Sequence, residues 1–254
     1  NDDNFDMIQL SGSWARERHF VRQPLRSGSQ SIESRRGSSS HAQNPFMALA
    51  RKDTTETKGD IYGFSFVYSG NFLANVEVDM FYNSRVQIGI NPFDFSWLLK
   101  ENEEFQSPEA VLVYSPNGVT GMSHIYHNLY GKRLARGEHR DKIRPILINN
   151  WEATYFDFNE TSIKNIAKEA SNLGMELFVL DDGWFGKRDD DFSGLGDWFV
   201  NEKKLCGTLS ELVKEVHDMG LSFGLWFEPE MISEDSDLYR AHPDWALVIP
   251  GRQP

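Results

Sequence analysis

The spacing of hydrophobic and polar positions changes once along this chain, near residue 145. Before that point, segments rich in β-branched and aromatic residues, 61–68, 72–80 and 86–90, are joined by Ser69-Gly70-Asn71 and Asn83-Ser84, which suit turns. That spacing predicts a sandwich. The segment 26–42 is rich in Ser, Gly, Arg and Gln and runs straight into Pro45-Phe46-Met47, so it suits an ordered functional loop and a disordered linker equally well. In 121–134, Met122, Ile125, Tyr126 and Leu129 stand at helical spacing and predict a connecting helix, followed by a charged joint over 136–142.

After residue 145, short apolar runs alternate with helical stripes. Residues 146–148 predict a buried strand. In 160–173, Ile163, Ile166, Ala167, Ala170 and Leu173 lie on one helical face, with Gly174 placed to end the helix. The run 177–180 predicts a second strand. Thr208 with Glu211 three residues on predicts a helix start, Leu209, Leu212, Val213, Val216 and Met219 form its stripe, and Gly220 precedes a third strand over 221–225. Helices between strands imply a parallel sheet, either open or the opening portion of an eight-stranded barrel. The absence of a G-x-G-x-x-G turn or a Walker-type loop weakens a nucleotide reading.

In such sheets ligands sit at the carboxyl ends of the strands, and here those ends are polar and aromatic. The second strand runs into Asp181-Asp182-Gly183-Trp184-Phe185 and the third into Trp226-Phe227-Glu228-Pro229-Glu230. A neighbouring pair of carboxylates suits two hydroxyls of a sugar, but Asp182-Gly183 equally suits a turn with Asp181 as a helix cap. Trp151, Trp184 and Trp226 recur near three strand ends, where indoles can pack on the apolar face of a pyranose. Taken singly, each suits a core position better. Glu228 and Glu230 fit the roles of acid, base, sugar ligand or salt-bridge partner. Asp197-Trp198 belongs to the long loop after the second strand, which could shape the pocket. The seven histidines show no metal-ligand spacing, and His124 and His127 have no acidic or sulfur companion.

Composition narrows the classes. Hydrophobic residues make up 39% and aromatics 13%, enough for a substantial core in 254 residues. A formal net charge of −12 disfavours nucleic acid and anionic membranes as partners. No apolar run reaches the roughly 20 residues of a membrane span, and Asn1-Asp2-Asp3-Asn4 is unlike a signal peptide. Cys206 is the only cysteine, which fits a reducing cytoplasm. A start at Asn1, and an end soon after the apolar run 246–249, lead us to expect a fragment of a longer protein.

A series of motifs runs along nearly the whole chain. It starts with Gly12-Ser13-Trp14-Ala15-Arg16-Glu17-Arg18, Ser34-Arg35-Arg36-Gly37-Ser38-Ser39-Ser40-His41, Tyr68-Ser69-Gly70-Asn71-Phe72 and Pro108-Glu109. It continues through Asn149-Asn150-Trp151-Glu152-Ala153-Thr154-Tyr155-Phe156, Asp181-Asp182-Gly183-Trp184-Phe185 and Leu195-Gly196-Asp197-Trp198 to Glu228-Pro229-Glu230-Met231 and His242-Pro243-Asp244-Trp245. In these motifs and their order the chain resembles glycoside hydrolase family 36, in particular its long bacterial α-galactosidases. Leu205-Cys206-Gly207-Thr208-Leu209 departs from the family's Pro-x-Gly-Leu turn.

The resemblance implies three parts: 1–120 as the C-terminal part of an N-terminal β-sandwich domain, 121–143 as connecting helix and linker, and 144–254 as the start of a truncated (β/α)8 TIM barrel with its first three or four strands. It implies retaining hydrolysis of terminal α-linked galactose from oligosaccharides such as raffinose and melibiose, by two carboxyl groups about 5 Å apart and without metal or organic cofactor. The family carries its nucleophile in a Lys-x-Asp-x-Asn context that is absent here. The catalytic residues are therefore expected beyond Pro254, and the fragment alone is expected to be inactive. By residue match, Asp181 and Asp182 would bind galactose hydroxyls, Trp151 and Trp226 would wall the sugar, and Trp14 would reach an active site in a homo-oligomer. Alternatives are an α-N-acetylgalactosaminidase or transgalactosylase, a non-catalytic galactoside-binding module, and a barrel lyase holding Mg²⁺ with Asp181, Asp182, Glu228 and Glu230.

Overall fold

The computed structural model describes residues 3–252, and the chain divides into two units, Asn1–Arg140 and Asp141–Pro254. In the first unit, β1 (Phe5–Ser13), β2 (Arg16–Pro24), β3 (Gly28–Glu33), β4 (Gln43–Arg51), β5 (Ile61–Val67), β6 (Phe72–Val78), β7 (Ser84–Ile90) and β8 (Glu109–Ser115) form two antiparallel sheets, ordered β2-β1-β4-β5-β8 and β3-β6-β7. Side chains alternate across a strand, so the larger sheet feeds two cores. Met7, Met47, Leu49 and Phe66 pack with Ile32, Phe72, Ala74 and Val76 of the smaller sheet. Ile8, Ala48, Ala50 and Ile61 face the other way, onto Met122 and Tyr126. The last two belong to helix α1 (Gly118–Leu129), which continues into a π-helical turn, Tyr130–Leu134. Gly63 makes the close approach possible, since a Cβ there would meet Met122 Sδ at 2.7 Å.

The strands expected over 61–68, 72–80 and 86–90 correspond to β5, β6 and β7. The segment 26–42 is ordered. It contains β3 and then a loop tied down by Gly37 N donating to Asn71 Oδ1 (2.8 Å) and Ser39 N donating to Ser69 O (2.7 Å). β2 and β4 escape pattern reading for opposite reasons. β2 is a sheet-edge strand with a charged, mostly exposed sequence, whereas β4 is buried on both faces and shows an apolar run instead of alternation.

In the second unit, β9 (Leu147–Asn149), β10 (Leu177–Leu180) and β11 (Ser222–Leu225) are parallel, with β10 central. Between them lie α2 (Trp151–Thr154), α3 (Glu160–Asn172) and α4 (Leu209–Asp218); α5 (Asp237–Ala241) and a 3-10 turn, Pro243–Trp245, follow. α3 and α4 both start in capping boxes, Asn159 with Ser162 and Thr208 with Glu211, so the helix after the departing sequence at Leu205 begins where its own cap puts it. Ile163, Ala167 and Ala170 of α3 and Leu212 and Val216 of α4 pack with Phe178 and Leu180. The result is a β-sandwich portion followed by α/β structure, with a three-stranded parallel sheet, as the opening portion of a barrel would have, among the described residues.

Candidate functional site

Because β9, β10 and β11 are parallel and in register, the residues that follow them emerge at one edge. β9 delivers two asparagines. Asn149 Nδ2 donates to Asp181 Oδ2 (2.7 Å), and the fully buried Asn150 accepts from Asp181 N through Oδ1 (2.9 Å). β10 delivers the two aspartates, both buried. β11 delivers Trp226, whose N donates to Leu180 O (2.9 Å) and whose carbonyl accepts from Trp184 Nε1 (2.9 Å). Trp184 and Trp226 are thereby tied to each other and to the end of β10. Trp151 begins α2 two residues after β9, half-buried, with its ring edge-on to Tyr155 (5.2 Å) and Phe156 (5.1 Å).

The two carboxylates differ in what their surroundings leave open. Asp181 accepts one bond on each oxygen, from Asp182 N at Oδ1 (2.8 Å) and from Asn149 at Oδ2. Asp182 is more heavily engaged. Its Oδ1 accepts from Gly183 N (2.7 Å), Arg188 Nε lies 3.1 Å from both oxygens, and Arg188 Nη2 donates to Oδ2 (2.9 Å). A carboxylate offers about four acceptor positions, so Asp181 keeps two open and Asp182 about one. The turn at Asp182-Gly183 is real, but neither aspartate caps a helix. Asp197 instead accepts from Asp237 N (2.9 Å) and Leu238 N (3.1 Å) in the first turn of α5, whose N-cap is Ser236, and so ties the loop after β10 to that helix.

Arg188 and Lys204 are the residues that sequence reasoning missed. Lys204 Nζ donates to Phe156 O (2.9 Å), Gly183 O (3.1 Å) and Arg188 O (3.2 Å), tying the segment after β9 to the turn after β10. Within Lys187-Arg188-Asp189-Asp190-Asp191 the arginine looks like one more solvated charge. The signal available was the bracket of Gly186 and Gly194: a Cβ at Gly194 would lie 3.0 Å from Arg188 N, so the loop folds tightly back on the arginine.

Trp184 and Trp198 form an aromatic cluster with Phe185 and Phe227, and Trp226 stacks parallel to Phe185 at 6.3 Å. Trp14 belongs to the first unit, where it stands in the turn between β1 and β2 and is 82% exposed. Among the described residues no group of three or more His, Cys, Asp or Glu side chains is placed to hold a metal ion, and no helix is long and apolar enough to cross a membrane.

Burial, followed by repulsion from Glu230, pushes the Glu228 carboxyl above its ordinary range. A carboxyl whose pKa rises on folding destabilises the folded state once pH exceeds its unfolded value of about 4.3, and costs nothing below it. Glu228→Gln is therefore expected to raise the thermal midpoint at pH 7 and to leave it unchanged near pH 3.5. Equal shifts at both values would contradict this.

The sequence model of the melibiase family matches residues 104–254, and that of the glycosyl hydrolase family 36 N-terminal domain matches residues 1–100. The chain is 62% identical, over 98% of its length, to alpha-galactosidase AgaA of Geobacillus stearothermophilus. It is 52% identical over its whole length to alpha-galactosidase Mel36A of Lactobacillus acidophilus. It spans about a third of the length of these curated relatives, 34% and 35% respectively. The crystal structure of AgaA superposes with a TM-score of 0.97 at 62% identity, covering 99% of this chain and 35% of that one. Variants of AgaA have been crystallised with 1-deoxygalactonojirimycin, stachyose and raffinose.

Proposed function

The chain belongs to glycoside hydrolase family 36, and from that premise we propose that the protein carrying it is a retaining α-galactosidase acting on oligosaccharides such as raffinose and melibiose, to which this stretch contributes the sugar-gripping side of the barrel. The observation that carries the reading is the aspartate pair after β10, with open acceptor positions on both carboxylates, at strand ends that also carry Trp151 and Trp226. Asp181 takes the larger share of the galactose hydroxyl bonds and Asp182 a single one, while Trp151 and Trp226 supply apolar surface for the pyranose. The attacking and proton-donating carboxyls belong to parts of the barrel outside this stretch. Complexes of AgaA variants with raffinose and stachyose support the substrate class.

The complete protein should hydrolyse p-nitrophenyl α-galactoside and release galactose from raffinose. Turnover of the α-N-acetylgalactosaminide alone would select the alternative within the family, and saturable galactose binding without turnover would select a binding module. We extend the proposal to a homo-oligomer, supported by the exposed Trp14, and to the cytoplasm, supported by the exposed free thiol of Cys206. The charge of −12 supports partners other than nucleic acid or anionic membranes. Light scattering and cell fractionation test the oligomer and the compartment.

A further inference from the structure

We infer that Arg188 is a positioning residue of the sugar site, fixing the plane of the Asp182 carboxylate and so the direction of its remaining acceptor position. This rests on the α-galactosidase reading above. Arg188 and Asp182 are 3% and 5% exposed, and Nε and Nη2 both engage the carboxylate. The guanidinium has little freedom of its own. Nη1 donates to Ser193 O (3.1 Å), its carbon lies 5.4 Å over the Phe156 ring, and the residue's carbonyl is held by Lys204. An ion pair this buried gives little net stability compared with a well-packed apolar pair, so stability alone does not account for it at a strand end. A fork of fixed geometry does set the orientation of a carboxylate, which a lysine's single rotating ammonium cannot do.

The test uses the complete protein with Arg188→Lys, Asp182→Asn and the double variant. Hydrolysis of p-nitrophenyl α-galactoside is measured per folded molecule, with folding followed by thermal melts. Arg188→Lys should keep a cooperative melt and lose about 100-fold in kcat/KM, the usual scale for misplacing a contacting group by an ångström. If Arg188 acts through Asp182, the double variant should be no slower than Asp182→Asn alone, within about threefold. Losses that multiply in the double variant would overturn the inference, as would wild-type kinetics in Arg188→Lys. An Arg188→Lys protein with no cooperative melt would assign the residue to the fold alone and also overturn it. Wild-type protein without any turnover would remove the α-galactosidase reading and this inference together; an active wild type with an undiminished Arg188→Lys variant would remove only the inference.

Discussion

Asp182→Asn is expected to slow hydrolysis of an aryl α-galactoside by about one to two orders of magnitude, since a charge-assisted hydrogen bond contributes about 1.5–3 kcal/mol. It is also expected to weaken the fold. Asn keeps the shape of the side chain, but the carboxylate is the partner of the buried Arg188. Neutralising it leaves a guanidinium uncompensated, with the new amide group facing guanidinium donors. Breaking one side of a buried ion pair costs about 3–5 kcal/mol. Urea denaturation of the complete protein should show a lower midpoint with an unchanged slope, and steady-state kinetics should show the loss of turnover. An unchanged midpoint with wild-type kinetics would contradict both halves of the prediction.

The 254-residue chain by itself is expected to show no α-galactosidase activity, an effect larger than that of any single substitution. Retaining hydrolysis needs an attacking carboxylate and a separate proton donor about 5 Å apart. The carboxylates that follow β10 are held in place by their own partners: Asp181 by Asn149 and its own turn, Asp182 by Arg188, and Asp197 by the start of α5. After β11, Glu228 and Glu230 are the carboxylates that could substitute for them, and Glu228→Gln in the complete protein tests the first of these. The chain alone should also self-associate, because Leu147 and Phe227 are each 51% exposed and Val248 and Ile249 are likewise open to water. Light scattering and an aryl α-galactoside assay on the purified chain check this; a monodisperse monomer that turns over substrate would show that Glu228 or Glu230 supplies catalysis.

Much of the second unit was legible because its signals are local. Apolar stripes, the Thr208–Glu211 cap of α4 and the glycines after α3 and α4 fix the helices within a turn, and β10 spans the run read from sequence. The first unit was less legible. Its strands were found where alternation is plain, in β5 to β7, and missed where a strand is buried on both faces, as in β4, or is charged at a sheet edge, as in β2. The aspartates and tryptophans of the candidate site stood out through their place at strand ends. Arg188 and Lys204 did not, because their meaning comes from a loop folding back to bring residues 156, 183, 188 and 204 together. Such contacts leave no periodicity in a sequence, and a charge run is ordinarily a solvated surface.

On the proposed reading, this stretch forms the galactose-gripping side of a family 36 barrel. The most direct measurement replaces the matching third of AgaA with this chain and assays the chimera on p-nitrophenyl α-galactoside, alone and with Asp181→Asn. The chimera is expected to fold and turn over substrate at a rate comparable to AgaA, with a loss of about one to two orders of magnitude in the Asp181→Asn form. A chimera that melts cooperatively yet has no turnover, or one whose Asp181→Asn form keeps its full rate, would contradict it.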